Sequence, residues 1–492
     1  MAYIFGDGFD LYATMADPLA GYWDSGLGVG GANSLVAGRF AGGQAISMQS
    51  GPTTCLVKSS GANDAIHHIV VAFRQTVALS GTTLGVYFQL SDGATNQCCI
   101  VFRSDGAVLL TSATPAGTAL ATYTGAVTAA NTWTAFEFEV VINNTTGAFR
   151  ARKNGNTSND FDSGAVLNTR PGANSYANKL TVAMNATVNA QQFDDVLWRS
   201  DASSVAWVGD VRAYVRMPAS DASAQFTRNP ATQTPFAQST TSAISNTVAR
   251  FTPFTASYDG AIGTLTVSLN AGYTGNMKCS IFAVSGANPG AVLGSATPIS
   301  NPATGNNTLT FPTPVPVARG AAYHVGVMAD TSSGTWNTGN LNSGTQQTGT
   351  TYAAFPTASP SVTLANAIVC TITVTISNNA ALVNETIEDG AASYVYDSNP
   401  GDADFYNIAA ISGTPVNVVA VTTRGFVQKS DAGTRNGAVQ LKSGGTTVAS
   451  PSTVLSTSFG WLWRTDQTDP ATGAAWTPLA VNSVTIGPTV TA

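Results

Sequence analysis

Two carboxylates two residues apart, Glu137 and Glu139 in "AFEFEVVI", have the spacing in this sequence that best suits acid–base chemistry. On a strand they share a face with Cα atoms about 6.6 Å apart, compatible with the carboxylate separations that hydrolyse a glycosidic bond. The competing expectation, and the favoured one, is a pair of solvated surface carboxylates. Adjacent Asp194 and Asp195 in "FDDVLWRSD" must point to opposite faces if the segment is extended, so they are not expected to share a proton as a dyad. A structural role is expected instead, with one facing solvent and the other accepting from backbone N–H groups or from Arg199 or Arg212. A Ca²⁺ site there is the weaker alternative. Asp7 and Asp10 in "GDGFD" lack the oxygen spacing and closing Glu of a calcium loop, and turn chemistry accounts for them. "GLGVGG", residues 26–31, lacks the Lys-Ser and βαβ context of a phosphate cradle and reads as a flexible turn.

The three histidines, His67, His68 and His324, cannot build a three-histidine metal site alongside other His-dependent machinery. Cys55, Cys98, Cys99, Cys279 and Cys370 are odd in number and contain no CxxC, so buried free thiols are expected. No catalytic residue, metal or cofactor is therefore assigned, and the chain is expected not to be an enzyme. Aromatic rings beside amides give a different hint, because sugars are held by flat apolar faces and amide hydrogen bonds. Trp336 lies in a polar, Gly-punctuated stretch, residues 330–352, that reads as a long loop. With Asn337, Asn340 and Gln346 it forms the candidate glycan contact, with Asn342 and Gln347 nearby. Phe459, Trp461 and Trp463 alternate onto one face and are expected to be core or subunit interface.

The elements that must position these residues are strands. The 492 residues suit roughly three domains. With 48 Gly, 22 Pro and only 10% charged residues, composition favours strands and turns over helices. In "AFEFEVVI" Phe136, Phe138, Val140 and Ile142 share one face. "LGVYFQL" does likewise through Val86, Phe88 and Leu90, and "IVCTITVTI" through Ile368, Cys370, Ile372, Val374 and Ile376. A net charge of −6 without a Lys/Arg cluster argues against nucleic acid as a partner. The start lacks the features of a signal peptide, and no apolar run reaches about 18 residues, so neither secretion nor membrane insertion is expected.

Several segments together resemble a family of tailed-bacteriophage structural proteins whose first domain is similar to a concanavalin-like or laminin-G-like jelly roll. They are "FGDGFDLYAT", Trp23, "GRFAGGQAI", "TWTAFEFEVVINNTTGAF", "FDDVLWRSD", "GDVRAYVRMPASDASAQFT", "SDAGTRNGAVQLKSGG" and "TDPATGAAWTPLAVNSVTIG". The resemblance implies an all-β chain: a jelly roll over residues 1–205, then a C-terminal β-sandwich from residues 206–229 plus 379–492. The near-uncharged residues 230–378 form an inserted β-sandwich. It also implies a virion component made in the host cytoplasm and exposed on the particle as a fibre, spike or tail-associated adhesin. Expected partners are other virion proteins, further copies of the chain (a trimer is favoured) and host-surface polysaccharide, where repeated weak sites give avidity. Two alternatives remain open: a polysaccharide depolymerase using Glu137 and Glu139, and a purely architectural decoration or joining protein. Laminarinase-like enzymes of this fold carry a third acidic position on the strand, where this chain continues through Val141 to Asn143.

Overall fold

In a computed structural model of the chain, the period-two segments form antiparallel sheets throughout. The structure describes residues 3–12, 22–25, 33–41, 43–48, 53–93, 95–185, 191–228, 231–257, 260–340, 342–353, 355, 362–376, 378–385, 393–411 and 417–492. The glycine turn "GLGVGG" lies outside them, as does the side chain of Cys55. The chain is all-β, and among the described residues the helical pieces are the short Pro478–Asn482 and the 3₁₀ turn Ala380–Leu382. Contacts group it into two compact units. One comprises Met1–Ser223, Glu385–Gly390 and Ser398–Ala492, and the other Ala224–Asn384 and Ala391–Asp397.

The first unit is built on a jelly-roll sandwich. One sheet runs, in spatial order, Phe161–Asp162, Ala148–Lys153, Thr134–Val141, Ile66–Gln75, Gln191–Asp201, Gln44–Met48, Ser34–Ala37, with Tyr3–Asp7 also paired to Gln191–Asp201. The facing sheet runs Thr53–Asp64, Ala177–Met184, Leu84–Ser91, Asn96–Arg103, Val108–Ser112, Ala119–Tyr123. Phe136, Phe138, Val140 and Ile142 enter the core between them, where Val86, Phe88 and Leu90 also lie. Phe73 stacks on Phe102 with centroids 3.9 Å apart.

The C-terminal strands belong to this same unit. Pro218–Ser223, Phe405–Ile408, Thr485–Val490, Asn436–Ser443 and Thr446–Ala449 form a sheet, while Val421–Val427 pairs with Gly460–Asp466. Trp461 and Trp463 of that ribbon pack against the jelly-roll core, and Trp463 meets Tyr22 edge-on at 5.5 Å. Arg424 on the neighbouring strand is buried over the Tyr22 ring at 3.3 Å and donates to the Tyr12 hydroxyl at 3.0 Å and to Asp7 at 3.3 Å. Asp7 also accepts from Tyr12, from the Trp23 indole and from the Phe9 N–H. A buried ion pair with its remaining lone pairs satisfied thus keys the ribbon to the jelly roll.

The second unit is a separate two-sheet sandwich. Ala231–Gln233, Cys370–Thr375, Gly260–Ala271, Thr335–Thr338 and Thr240–Ala243 form one sheet, with Gly305–Val317 paired to Gly260–Ala271. Asn288–Ser295, Asn276–Ser285, Ala322–Ala329, Val248–Thr255, Gly344–Thr348 and Thr363–Ala365 form the other. Ile368, Cys370, Ile372, Val374 and Ile376 all enter its core, as their alternation requires. Cys98, Cys99, Cys279 and Cys370 are buried free thiols, and burial raises the pKa of each.

Candidate functional site

Glu137 and Glu139 project from the jelly roll's outer face, as the alternation requires, but Glu137 is buried and Glu139 only partly exposed, so they are not a solvated pair. That correction has a specific cause: the segment that follows the last jelly-roll strand folds back over this face. Val208 and Val211 pack with Ile4, Val70 and Leu197 there, together with Val419 and Ala420. Glu137 is only 2% exposed. It accepts from the Val208 N–H at 3.0 Å, from the Gly209 N–H at 2.7 Å and from His68 Nδ1 at 2.9 Å. His68 Nε2 reaches Glu139 at 3.1 Å, and Glu139 also pairs with Arg150. Trp207 closes over the imidazole at 4.7 Å, with Arg152 over the indole at 4.1 Å. Burial opposes charge on His68, but its bonds to Glu137 and Glu139 outweigh burial and raise its pKa. Burial likewise pushes Glu139 up, and the His68 and Arg150 hydrogen bonds outweigh it and hold its carboxyl below the usual range. The result is a hydrogen-bonded clamp in which both nitrogens of His68 meet a carboxylate.

Neighbouring His67 behaves oppositely. Its Nε2 bonds the Asp64 carbonyl at 2.9 Å and its Nδ1 accepts from the Trp198 indole at 3.2 Å, while burial lowers its pKa to about 4. His67 is therefore a neutral core imidazole.

The opposite-face expectation for Asp194 and Asp195 is also corrected. The strand bulges between Asp194 and Leu197, and Asp195 adopts φ +50°. That left-handed conformation is one Asp tolerates better than most residues, and it breaks the alternation. Both carboxylates come within reach of Arg39: its backbone N–H donates to Asp194 at 2.8 Å, and its guanidinium lies 4.0 Å from Asp195. Asp195 accepts from the Ala213 N–H at 2.9 Å, and Arg39 forks onto Asp210. Burial raises the pKa of both acids, and the Asp194 charge raises Asp195 further. Arg199 donates to the Ala206 carbonyl at 2.6 Å. Four side chains, Glu137, Asp195, Arg39 and Arg199, thus hold the crossing segment 206–213 by its backbone and by Asp210. Of the acids that sequence singled out, Glu137 and Asp195 hold that crossing directly.

In the second unit, residues 330–352 are not one long loop. Thr335–Thr338 and Gly344–Thr348 are strands within it. Trp336 is 3% exposed and packs edge-on to Tyr273 at 6.4 Å in the sandwich core. A ring so covered offers no platform for a sugar. Asn337 is buried and donates to Ser268 Oγ, Asn340 is exposed, and Gln346 is half-buried on the second strand. The four residues do not form one surface.

An open cleft lies elsewhere in this unit, at one end of the sandwich. It holds about 490 Å³ and draws its walls from both sheets. Gln233 ends one strand, Pro253 to Thr255 end another, and these pair in register with His324 to Ala322. Phe236, Phe254 and Tyr323 supply aromatic rings, with Phe254 stacked on Tyr323 at 5.5 Å and 28°. His324 is 3% exposed and its Nδ1 has no hydrogen-bond partner. Sequence reasoning passed over this site because its rings are spread across residues 236, 254 and 323, and an isolated histidine carries no pattern.

Among the described residues no group of three or more His, Cys, Asp or Glu side chains could hold a metal ion. No described helix is long and apolar enough to cross a membrane, which says nothing of membrane-spanning strands.

Fold and cleft together define an all-β chain of sandwich units carrying an aromatic-lined cleft. Residues 233–367, inside the second unit, match the family described as Domain of unknown function (DUF4082). No curated protein matches the chain. Among solved structures it is similar to "Cellulose induced protein, Cip1", at 15% identity and a TM-score of 0.28, over 41% of this chain and 100% of that one. It is also similar to the alginate lyase vAL-1 from Chlorella virus, at 12% identity and a TM-score of 0.28, over 39% and 100% of the two chains. A third is the N-terminal CBM22-1-CBM22-2 tandem domain of Paenibacillus barcinonensis Xyn10C, at 10% identity and a TM-score of 0.20, over 66% and 89%. At such identities and TM-scores these likenesses carry nothing about what this chain binds.

Proposed function

We propose that the chain is a structural protein of a bacteriophage particle, displayed on its surface, that contributes to attachment to host-surface glycans without cleaving them. The particle assignment rests on the ordered motifs from "FGDGFDLYAT" to "TDPATGAAWTPLAVNSVTIG". The observation that carries the attachment reading is the open aromatic cleft of the second unit, with Phe236 and Tyr323 only partly buried and no charged residue in its wall. Concave, mostly apolar sites with a few convergent polar groups are the usual form of small-ligand sites. The non-enzymatic reading is supported by Glu137, whose carboxylate oxygens are both engaged beneath the Val208–Gly209 backbone. Other virion proteins and further copies of this chain, with a trimer favoured, are the expected partners, since repeated copies turn weak sites into firm attachment. Labelling this chain on intact particles and imaging them tests the assignment: label on an outward appendage is expected, and label absent from the particle rejects it.

A further inference from the structure

We propose that the outer face of the first unit's jelly roll carries a further glycan site, for a sugar bearing a carboxylate, in which Arg74 and Gln192 bind the acid group and Trp133 lies against the sugar ring. This rests on the glycan-attachment reading and adds to it a site on the other unit, with a ligand chemistry of its own.

The three residues form one row across three strands. Phe73 and Phe193 enter the jelly-roll core, so their neighbours Arg74 and Gln192 alternate onto the outer face. There they stand directly opposite each other in the pairing of Ile66–Gln75 with Gln191–Asp201. Trp133 precedes Thr134, the residue paired with Phe73, which sets it beside Arg74 on the third strand. The Arg74 guanidinium lies over the indole, 4.6 Å from the ring centroid. Arg74 Nε donates to Gln192 Oε1 at 2.8 Å, and Nη2 donates to the same oxygen. A ring and an amide thus hold the guanidinium in one orientation.

What the row lacks is an acid. Arg39, Arg103 and Arg150 each meet a carboxylate, but no described Asp or Glu pairs with Arg74. Burial lowers its pKa, with no carboxylate to offset it. The next acid along the strand on this face, Asp194, is buried and already accepts from the Arg39 and Asp195 N–H groups. Two donor groups are left over. Arg74 Nη1 and the Gln192 amide nitrogen make no hydrogen bond to a described residue, and neither is sealed from solvent. Arg74 and Trp133 are partly exposed, and Gln192 keeps 7% of its surface. A guanidinium N–H beside an amide N–H, with no acceptor for either, suits the two oxygens of a carboxylate. The indole supplies the apolar surface that a sugar ring covers.

The full chain is titrated by calorimetry with trigalacturonate and sialyllactose, with their neutral counterparts galactotriose and lactose, and with a galactose phosphate, and is applied in parallel to immobilised host-surface polysaccharide. Arg74→Gln, Trp133→Ala and Gln192→Glu are carried alongside. Gln192→Glu sets a carboxylate of the same size against the guanidinium, which keeps the fork and occupies the charge, so the test stays informative if Arg74→Gln or Trp133→Ala misfolds. The expected result is binding of trigalacturonate or sialyllactose, with the neutral counterpart and the phosphate weaker by about ten-fold or more. A loss of about ten-fold or more is expected in each variant, the size of one charge-assisted hydrogen bond. Undiminished binding in Arg74→Gln and Gln192→Glu overturns the site while glycan attachment stands. Retention on host polysaccharide without binding of either acidic sugar does the same. Preference for the phosphate overturns the carboxylate assignment. Acidic-sugar binding that the variants lose, without retention on host polysaccharide, supports the site and overturns the attachment reading. Absence of all binding overturns both.

Discussion

Replacing Glu137 with glutamine separates a structural carboxylate from a catalytic one. The amide keeps one acceptor oxygen for three donors, the Val208 and Gly209 N–H groups and His68, and turns an NH₂ group toward one of them. Hydrogen bonds to charged groups contribute about 1.5–3 kcal/mol each, and removing one partner of a buried ion pair costs about 3–5 kcal/mol. Because Glu139 still faces His68, the low end applies, and a loss of about 3 kcal/mol is expected. Two units make a single unfolding free energy ill-defined, so the assay is native-state hydrogen exchange of Ile66–Gln75 and Thr134–Val141, with wild type and variant compared at matched pH. The pH dependence has a definite sign. The folded pKa of His68 lies above its ordinary value of 6.5. The stability it contributes is therefore complete below that value and is lost as pH rises through the folded pKa, so the deficit of Glu137→Gln should be larger at pH 6 than at pH 9. Exchange within about 0.5 kcal/mol of wild type at pH 6 would refute the clamp.

Arg424→Met should destabilise the first unit by about 3–5 kcal/mol, because Asp7 stays buried with neutral donors and no counter-ion; adding Asp7→Asn should restore part of it in a double-mutant cycle, and a loss under 1 kcal/mol would contradict the keying role. Asp195→Asn should stabilise the fold at pH 7.5 and leave it unchanged near pH 4. The wild-type carboxyl has a raised folded pKa, so it favours folding in its protonated form and its contribution is lost as pH rises. His67 has the opposite slope, since its folded pKa near 4 makes stability fall as pH drops below about 6.5, by up to roughly 3 kcal/mol; native-state hydrogen exchange of Ile66–Gln75 and Gln191–Asp201 between pH 4 and 7.5, in wild type, Asp195→Asn and His67→Gln, checks both.

How much of this was legible in the sequence depended on range. Period-two alternation placed Phe136, Phe138 and Val140 in one core and Ile368 to Ile376 in another, because strand faces are fixed locally. The burial of Glu137 was not local: its cover comes from residues some 70 positions later. Asp195 misled because a bulge with φ +50° reverses a face, and nothing in "FDDV" distinguishes it from a regular strand. Trp336 misled because a four-residue strand amid Thr, Asn and Gly has too few positions to show a period. The cleft was invisible because its rings converge only when strand ends from two sheets meet.

The central claim, attachment without cleavage, is tested most directly by sedimentation of fluorescently labelled host-surface polysaccharide mixed with the full chain, read before and after the protein is removed. Faster sedimentation in the mixture and unchanged polymer length after removal are predicted. Shortened polymer, lost in Glu139→Gln, or no change in sedimentation at saturating chain, would contradict the account.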